Sequence, residues 1–299
     1  MSGQSLSRAQ LIGAALVILS TVAIALVPSL ARLSYDGGSN TMTVITLRSV
    51  FSVAVMLLLL ILLRQPIRIA RRPMLIALAS GATYGAMLYC YLGAVNFLPV
   101  NLVILIFFLH PLLVGLIAAT VGMERLTWSK LACLVVALAG LALAVGLSLD
   151  GLDLHGLLLA LGSAVALALV IVGNARAMRE APTIPVLFFM MLGAAAVLSV
   201  PLAVSQGLAL PATETGWVGM LGVALAATFG SVDFFTGMER VGAVRAAMIS
   251  NLEPVLGIAV AVALLGEQIS WPQAVGLLLV VGSIFAMERI RTRPAQQPA

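Results

Sequence analysis

Deep within its apolar runs, this 299-residue chain places an ionisable side chain directly before a proline twice, at His110-Pro111 and Glu253-Pro254. An imidazole or carboxyl can take up a proton or hydrogen-bond a small polar solute. The proline that follows has no backbone N–H, so the carbonyls of Phe107 and Ser250 lose their helical donors. A kink, a freed carbonyl and a titratable group together could make a solute or proton site, with Pro111 and Pro254 as hinges. The plainer alternative is a neutral His110 and a protonated Glu253, each hydrogen-bonded to a neighbouring helix. Asn101 and Asn251 add amides. Tyr84, Met87 and Tyr91 follow a helical spacing that puts them on one face, with two rings and two hydroxyls. Such a stripe can equally be packing, and Tyr89 points elsewhere. The candidate substrate-binding set is therefore Tyr84, Met87, Tyr91, Asn101, His110, Asn251 and Glu253. Thr228, Ser231 and Asp233 are further polar candidates. Asp233 is expected to form a packing or gating ion pair with Arg240 or Arg245.

Other chemistries are excluded by what is missing. His110 and His155 are the only histidines, and Cys90 and Cys133, the only cysteines, fall in apolar runs without metal-ligand spacing. No Gly-x-x-x-x-Gly-Lys-Ser/Thr motif is present, so ATP does not drive a reaction directly. No nucleophile–base constellation appears. The sequence predicts no enzyme, no cofactor and no metal.

The elements that would carry these residues are set by hydropathy. Hydrophobic residues make up 62% of the chain and charged residues 9%, with a mean hydropathy of +1.16. That charge content cannot cover a soluble surface, which uses roughly a quarter charged residues. The solvent must be a lipid bilayer. A core ~30 Å thick takes ~20 apolar residues at 1.5 Å each. Ten such runs lie near 10–31, 42–63, 73–95, 99–121, 128–148, 154–175, 184–205, 215–238, 243–265 and 271–289, separated by Gly, Pro or charge. The first run is too long for a signal-peptide core and is expected to remain as a helix. The pI near 9.9 reflects Arg scattered among short loops, which speaks for membrane orientation and against nucleic acid. With the N-terminus inside, only Arg32 and Arg48 of the sixteen Lys and Arg fall on the far side. Both termini are thus expected in the cytoplasm of a multi-pass protein of the plasma or inner membrane. Trp128, Trp217 and Trp271 begin spans, at interface depth, as anchors.

His110 and Glu253 belong to a repeat. At a fixed offset of 143 residues, Leu11, Gly13, Leu16, Ser20, Val22 and Ala23 return as Leu154, Gly156, Leu159, Ser163, Val165 and Ala166. At the same offset Leu109, Pro111, Glu124 and Trp128 return as Leu252, Pro254, Glu267 and Trp271. Five spans per copy is an odd number, so the second copy must cross the membrane in the opposite sense. The sequence predicts an all-α integral membrane protein of ten transmembrane helices, in two inverted five-helix repeats at 8–148 and 154–290. Inverted repeats with discontinuous helices at the midplane are an architecture of secondary transporters. Gly13, Ser20, Gly156 and Ser163 are expected at close helix contacts.

The run Val241-Gly242-Ala243 to Leu252-Glu253-Pro254, then Leu265-Gly266-Glu267, Trp271 and Gly276, resembles the EamA-like domain of the drug/metabolite transporter superfamily. Leu109-His110-Pro111 to Glu124 and Trp128 looks like a degraded copy, and two such domains in tandem cover nearly the whole chain. The resemblance implies a ten-helix metabolite exporter of the amino-acid type, its cavity surrounded by the first, third, fourth, sixth, eighth and ninth helices. Glu before this proline is common in the family whatever the substrate, which favours the structural role for Glu253. Small multidrug exporters of the superfamily use a membrane-embedded Glu in the first helix; here neither the first nor the sixth span holds an acid. No Lys or Arg is expected at the midplane, which disfavours sugar nucleotides and phosphates and leaves a neutral or zwitterionic small molecule, with loose recognition by neutral hydrogen bonds. Other organic solutes or drugs, or a channel or lipid-handling role, are the alternatives. Nothing in the sequence fixes an oligomeric state.

Overall fold

The computed structural model describes residues 8–124, 127–145, 153–204, 208–256 and 270–289, and among these it is all helical. The helices are α1 (Arg8–Asp36), α2 (Thr41–Leu62), α3 (Arg71–Ala94), α4 (Val100–Phe107), α5 (His110–Thr120), α6 (Trp128–Val145), α7 (Leu154–Ala177), α8 (Thr183–Val204), α9 (Glu214–Val241), α10 (Ala243–Ile249) and α11 (Trp271–Arg289). Residues 252–256 are helical again after α10. Seven stretches are long and apolar enough to cross a bilayer, with α4 and α5 counted together, and α6 and α11 add two shorter apolar helices. The expected span at 243–265 is described only as far as residue 256.

Local chemistry sets the helix ends. Asn40 Oδ1 accepts from the Thr43 N–H at 2.8 Å and opens α2. Asp153 Oδ1 does the same for Gly156 N–H at 3.0 Å at the start of α7, and Thr213 Oγ1 for Gly216 N–H at 3.1 Å at the start of α9. These side chains satisfy donors that a helix start leaves open. At the end of α1, Gly38 adopts φ +97° and Ser39 N–H reaches back to the Ser34 carbonyl at 3.2 Å. That left-handed cap is easy for glycine and lets α1 run to Asp36, beyond the expected end. Pro28 lies inside α1 without ending it.

The described residues fall into two compact units. One comprises the chain up to Gly85 together with Gly173–Val241; the other comprises Ala86–Val172 and the chain from Gly242 onward. Each unit draws helices from both sequence halves, and the boundaries fall inside α3 and α7.

In the first unit α1 packs along α9, and α2 packs on α8 and α9. The α1–α9 contact is close because small residues line it. A Cβ on Gly13 would lie 2.7 Å from the Arg240 Cβ and 3.0 Å from the Gly237 carbonyl oxygen. Lipid gives two apolar helices no hydrophobic reason to associate, so dispersion across such tight contacts must hold them. Ser20 is fully buried, as expected of a close-contact residue.

In the second unit α6 packs on α11 and α5 on α10. Ala94, Leu98, Leu102, Val103, Ile106 and Ala160 form a buried cluster, with Tyr91, Leu109, Leu157 and Leu159 against it. Gly156 takes the expected close contact, since a Cβ there would lie 2.7 Å from Leu98 Cγ. Ser163 is fully buried. The outward faces of both units carry apolar side chains such as Leu58, Ile61, Leu158, Leu169, Leu221 and Leu278. Lipid tails are the solvent that tolerates such a surface.

Candidate substrate site

Two of the expected spans, both in the second unit, are interrupted, and they meet each other. The fourth expected span is α4 and α5, broken at Phe108 and Leu109 ahead of Pro111. The ninth is α10 and the helical residues 252–256, broken at Ser250 and Asn251 ahead of Pro254. Both breaks tighten into three-residue hydrogen bonds. Leu109 N–H reaches Ile106 O at 3.0 Å, Asn251 N–H reaches Met248 O at 3.1 Å, and Glu253 N–H reaches Ser250 O at 2.9 Å. The two carbonyls that the prolines free therefore find different donors. Ser250 O takes the Glu253 amide, while Phe107 O takes the His110 ring, whose Nδ1 lies 3.1 Å away. A carbonyl can only accept, so Nδ1 carries the proton.

The other ring nitrogen faces the second break. With Nδ1 protonated, Nε2 accepts, and the single Ser250 hydroxyl proton is shared between Nε2 at 3.4 Å and the Ala247 carbonyl at 2.7 Å. His110 is 3% exposed and sits against Phe107 and Phe108, with ring centroids 5.4 and 5.7 Å away. Tyr91 stacks edge-on to Phe107 at 4.9 Å, and Glu253 follows Asn251 and Leu252 at the second break. Asn251 is 4% exposed, and its Oδ1 has no hydrogen-bond partner among the described residues. A buried amide oxygen without a donor is costly, and a polar solute is one way to satisfy it.

The structure thus gathers Tyr91, His110, Asn251 and Glu253, with Pro111 and Pro254, around one pair of interrupted helices. Ser250, the residue that links them, was missed; only its position before an interrupted turn could have pointed to it. Met87 is buried in the same unit, at 3% exposure. Asn101 lies in the first turn of α4, and its side chain is outside the described residues. Tyr84 belongs to the other unit. Its hydroxyl accepts from Arg48 Nη2 at 3.3 Å. It sets a cation deeper inside a helix than the sequence reading expected. Arg48 was assigned to the far-side end of its span, yet it stands two turns inside α2 and reaches a residue in the middle of α3. The signal was an arginine embedded in an apolar run.

Several other expectations resolve into packing. Thr228 Oγ1 donates to Ala224 O at 2.6 Å and meets Ser52 Oγ at 2.6 Å, and Ser231 Oγ donates to Ala227 O at 2.7 Å. Asp233 forms no ion pair with Arg240, whose Nη1 donates to its own helix at the Thr236 carbonyl, 2.6 Å away. A basic side chain late in a helix finds nearby carbonyl partners without crossing to a carboxylate. The buried hydroxyl of Tyr89 has no hydrogen-bond partner among the described residues.

A charged clamp lies at the start of α10. Glu124 Oε2 accepts from Lys130 Nζ at 3.3 Å, and its Oε1 accepts from Val244 N–H at 3.3 Å. The lysine side chain is 2% exposed and the glutamate 17%. Gly242, the N-cap, has φ +91°, and a Cβ on it would lie 2.8 Å from Glu124 Oε1. Only glycine offers both that backbone and that room. The repeat counterpart, Glu267, is outside the described residues.

Residues 11–146 and 154–288 each match the sequence profile of the EamA-like transporter family. No protein of curated function matches the chain in sequence. Among solved structures, one described as "Crystal structure of protein" is 24% identical, with a TM-score of 0.77 over 94% of this chain and 98% of that one. That likeness concerns the fold.

Proposed function

Because the chain belongs to the EamA-like transporter family, we propose that this multi-pass membrane transporter is a secondary carrier that exports small metabolites by alternating access. Amino acids, including aromatic ones, are the proposed cargo, and the plasma or inner membrane is the proposed location. The observation that carries the reading is the pair of interrupted spans. Their backbone is held by fewer helical bonds than an intact helix, and they meet where a buried histidine reaches Ser250, whose neighbour Asn251 has an amide oxygen with no partner among the described residues. Discontinuous helices with polar groups at membrane depth are where carriers bind solute and bend.

The repeat supports a two-fold exchange of states. In the ten-span numbering, the second span packs on the seventh, the fourth on the ninth and the fifth on the tenth. The first packs on the eighth, and its counterpart pairing of third with sixth is seen where Ser80 Oγ fills the space beside Gly173. Exchanging each span for the one five places on leaves this set of pairings unchanged. The proposed arrangement is ten spans in two inverted repeats, 8–148 and 154–290, with both termini in the cytoplasm. Tyr84, Met87, Tyr91, Asn101, His110, Asn251 and Glu253 are the proposed cargo contacts. The rings supply flat apolar surface, and the amides supply hydrogen bonds to a headgroup.

Purified full-length protein in liposomes tests the reading. Radiolabelled phenylalanine flux should saturate and should accelerate when unlabelled phenylalanine is present on the opposite side. Unsaturable flux would mean a pore. Saturable flux confined to non-amino-acid solutes would keep the carrier and reject the cargo.

A further inference from the structure

Arg48 is a cation inside a membrane span, and no carboxylate of the described residues pairs with it. Ion pairs among the described residues include Arg72–Glu180, Lys130–Glu124 and His155–Asp153. Arg48 lies seven residues after Thr41, about 10 Å along α2. Its side chain does not run back to the near end of the helix. Nη2 donates to the hydroxyl of Tyr84, and Tyr84 lies in the middle of α3, Arg71–Ala94.

The guanidinium does not face lipid either. Val50, Leu57, Leu58 and Ile61 mark the exposed apolar side of α2. At 100° per residue, Arg48 is turned roughly 140° from the middle of that side. Ser52, one turn on, lies beside Arg48 and bonds the Thr228 hydroxyl at 2.6 Å. Asp233, the acid nearest the middle of α9, makes no ion pair with it.

A guanidinium has five N–H donors, and one of them is used by Tyr84. Holding such a group at membrane depth costs several kcal/mol unless something of opposite charge comes to it. Its fork matches the two oxygens of a carboxylate. Tyr84 accepts from Arg48 through its oxygen, so its own O–H remains to donate to the same anion.

We propose that Arg48 and Tyr84 form a binding site for the carboxylate of the transported solute. This rests on the carrier reading above and narrows it: the preferred cargo carries a free carboxylate, held by a fixed charge. Recognition by neutral hydrogen bonds alone would not select for that group.

The test compares two probes in the same liposomes, phenylalanine and phenylalaninamide, which differ at the carboxyl group. Arg48→Gln should raise the half-saturation concentration for phenylalanine about tenfold and leave that of phenylalaninamide within about twofold. Tyr84→Phe should raise the phenylalanine value about threefold. Arg48→Lys, which keeps charge but loses the fork, should fall between parent and Arg48→Gln and guards against a variant that fails to insert. Equal changes for both probes, or no change in either, would overturn the site. If the parent carries phenylalaninamide saturably and phenylalanine not at all, the carboxylate site is wrong and the carrier stands. If the parent carries neither, the carrier reading itself fails and this one with it.

Discussion

Replacing Glu124 should destabilise the protein more than replacing Lys130, although the two form one ion pair. The asymmetry follows from their surroundings. The Lys130 side chain is 2% exposed, and Glu124 Oε2 is its ion-pair partner at 3.3 Å. Glu124→Met strands a buried ammonium, a loss of about 3 kcal/mol. The Glu124 side chain is 17% exposed and keeps a second donor, the Val244 N–H at 3.3 Å. Lys130→Met therefore leaves a carboxylate that still has a hydrogen bond and some contact with solvent, and should cost about 1 kcal/mol. The double variant removes both charges. It loses the cap on α10, worth about 1 kcal/mol, but buries nothing unpaired. It should be more stable than Glu124→Met alone by about 2 kcal/mol. Equilibrium unfolding in mixed micelles of dodecyl maltoside and sodium dodecyl sulfate, followed by tryptophan fluorescence, measures all four proteins. The reasoning fails if Glu124→Met costs no more than Lys130→Met, or if the two losses simply add in the double variant.

Three further outcomes are expected. Gly13→Val should cost about 3 kcal/mol in the same unfolding assay, because its Cβ would press on the Arg240 Cβ and the Gly237 carbonyl; a change below about 0.5 kcal/mol would show that α1 and α9 are free to part. Pro111→Ala and Pro254→Ala should express at parental levels and slow phenylalanine flux, since each restores a backbone donor at a break; unchanged flux in both would remove the hinge role. Single cysteines at positions 36 and 150 should react with an impermeant reagent added to intact cells and one at 68 should not; labelling at 68 would reverse the proposed orientation.

Which stretches become helices was legible in the residues, because in a bilayer that choice is local. Backbone groups in lipid must bond within their own segment, so apolar length marks a span and Gly, Pro or charge marks its end. The boundaries of α2, α8 and α11 accordingly fall where hydropathy puts them. The two interruptions were also legible, since a proline removes a specific N–H whatever surrounds it. The His110 ring on the Phe107 carbonyl lies three residues from its target and is local in the same sense. The partners across helices were not legible. Spans such as α8 are apolar nearly all round, so no stripe says which side meets which neighbour. Arg48 and Tyr84 are 36 residues apart, His110 and Ser250 are 140, and Glu124 and Val244 are 120. Each meeting depends on the rotation and depth of two helices, set by close contacts such as Gly13 on Gly237 rather than by hydropathy. An arginine counted by hydropathy as an end charge therefore meets a tyrosine from the middle of α3 only when the tertiary structure brings the two side chains within reach.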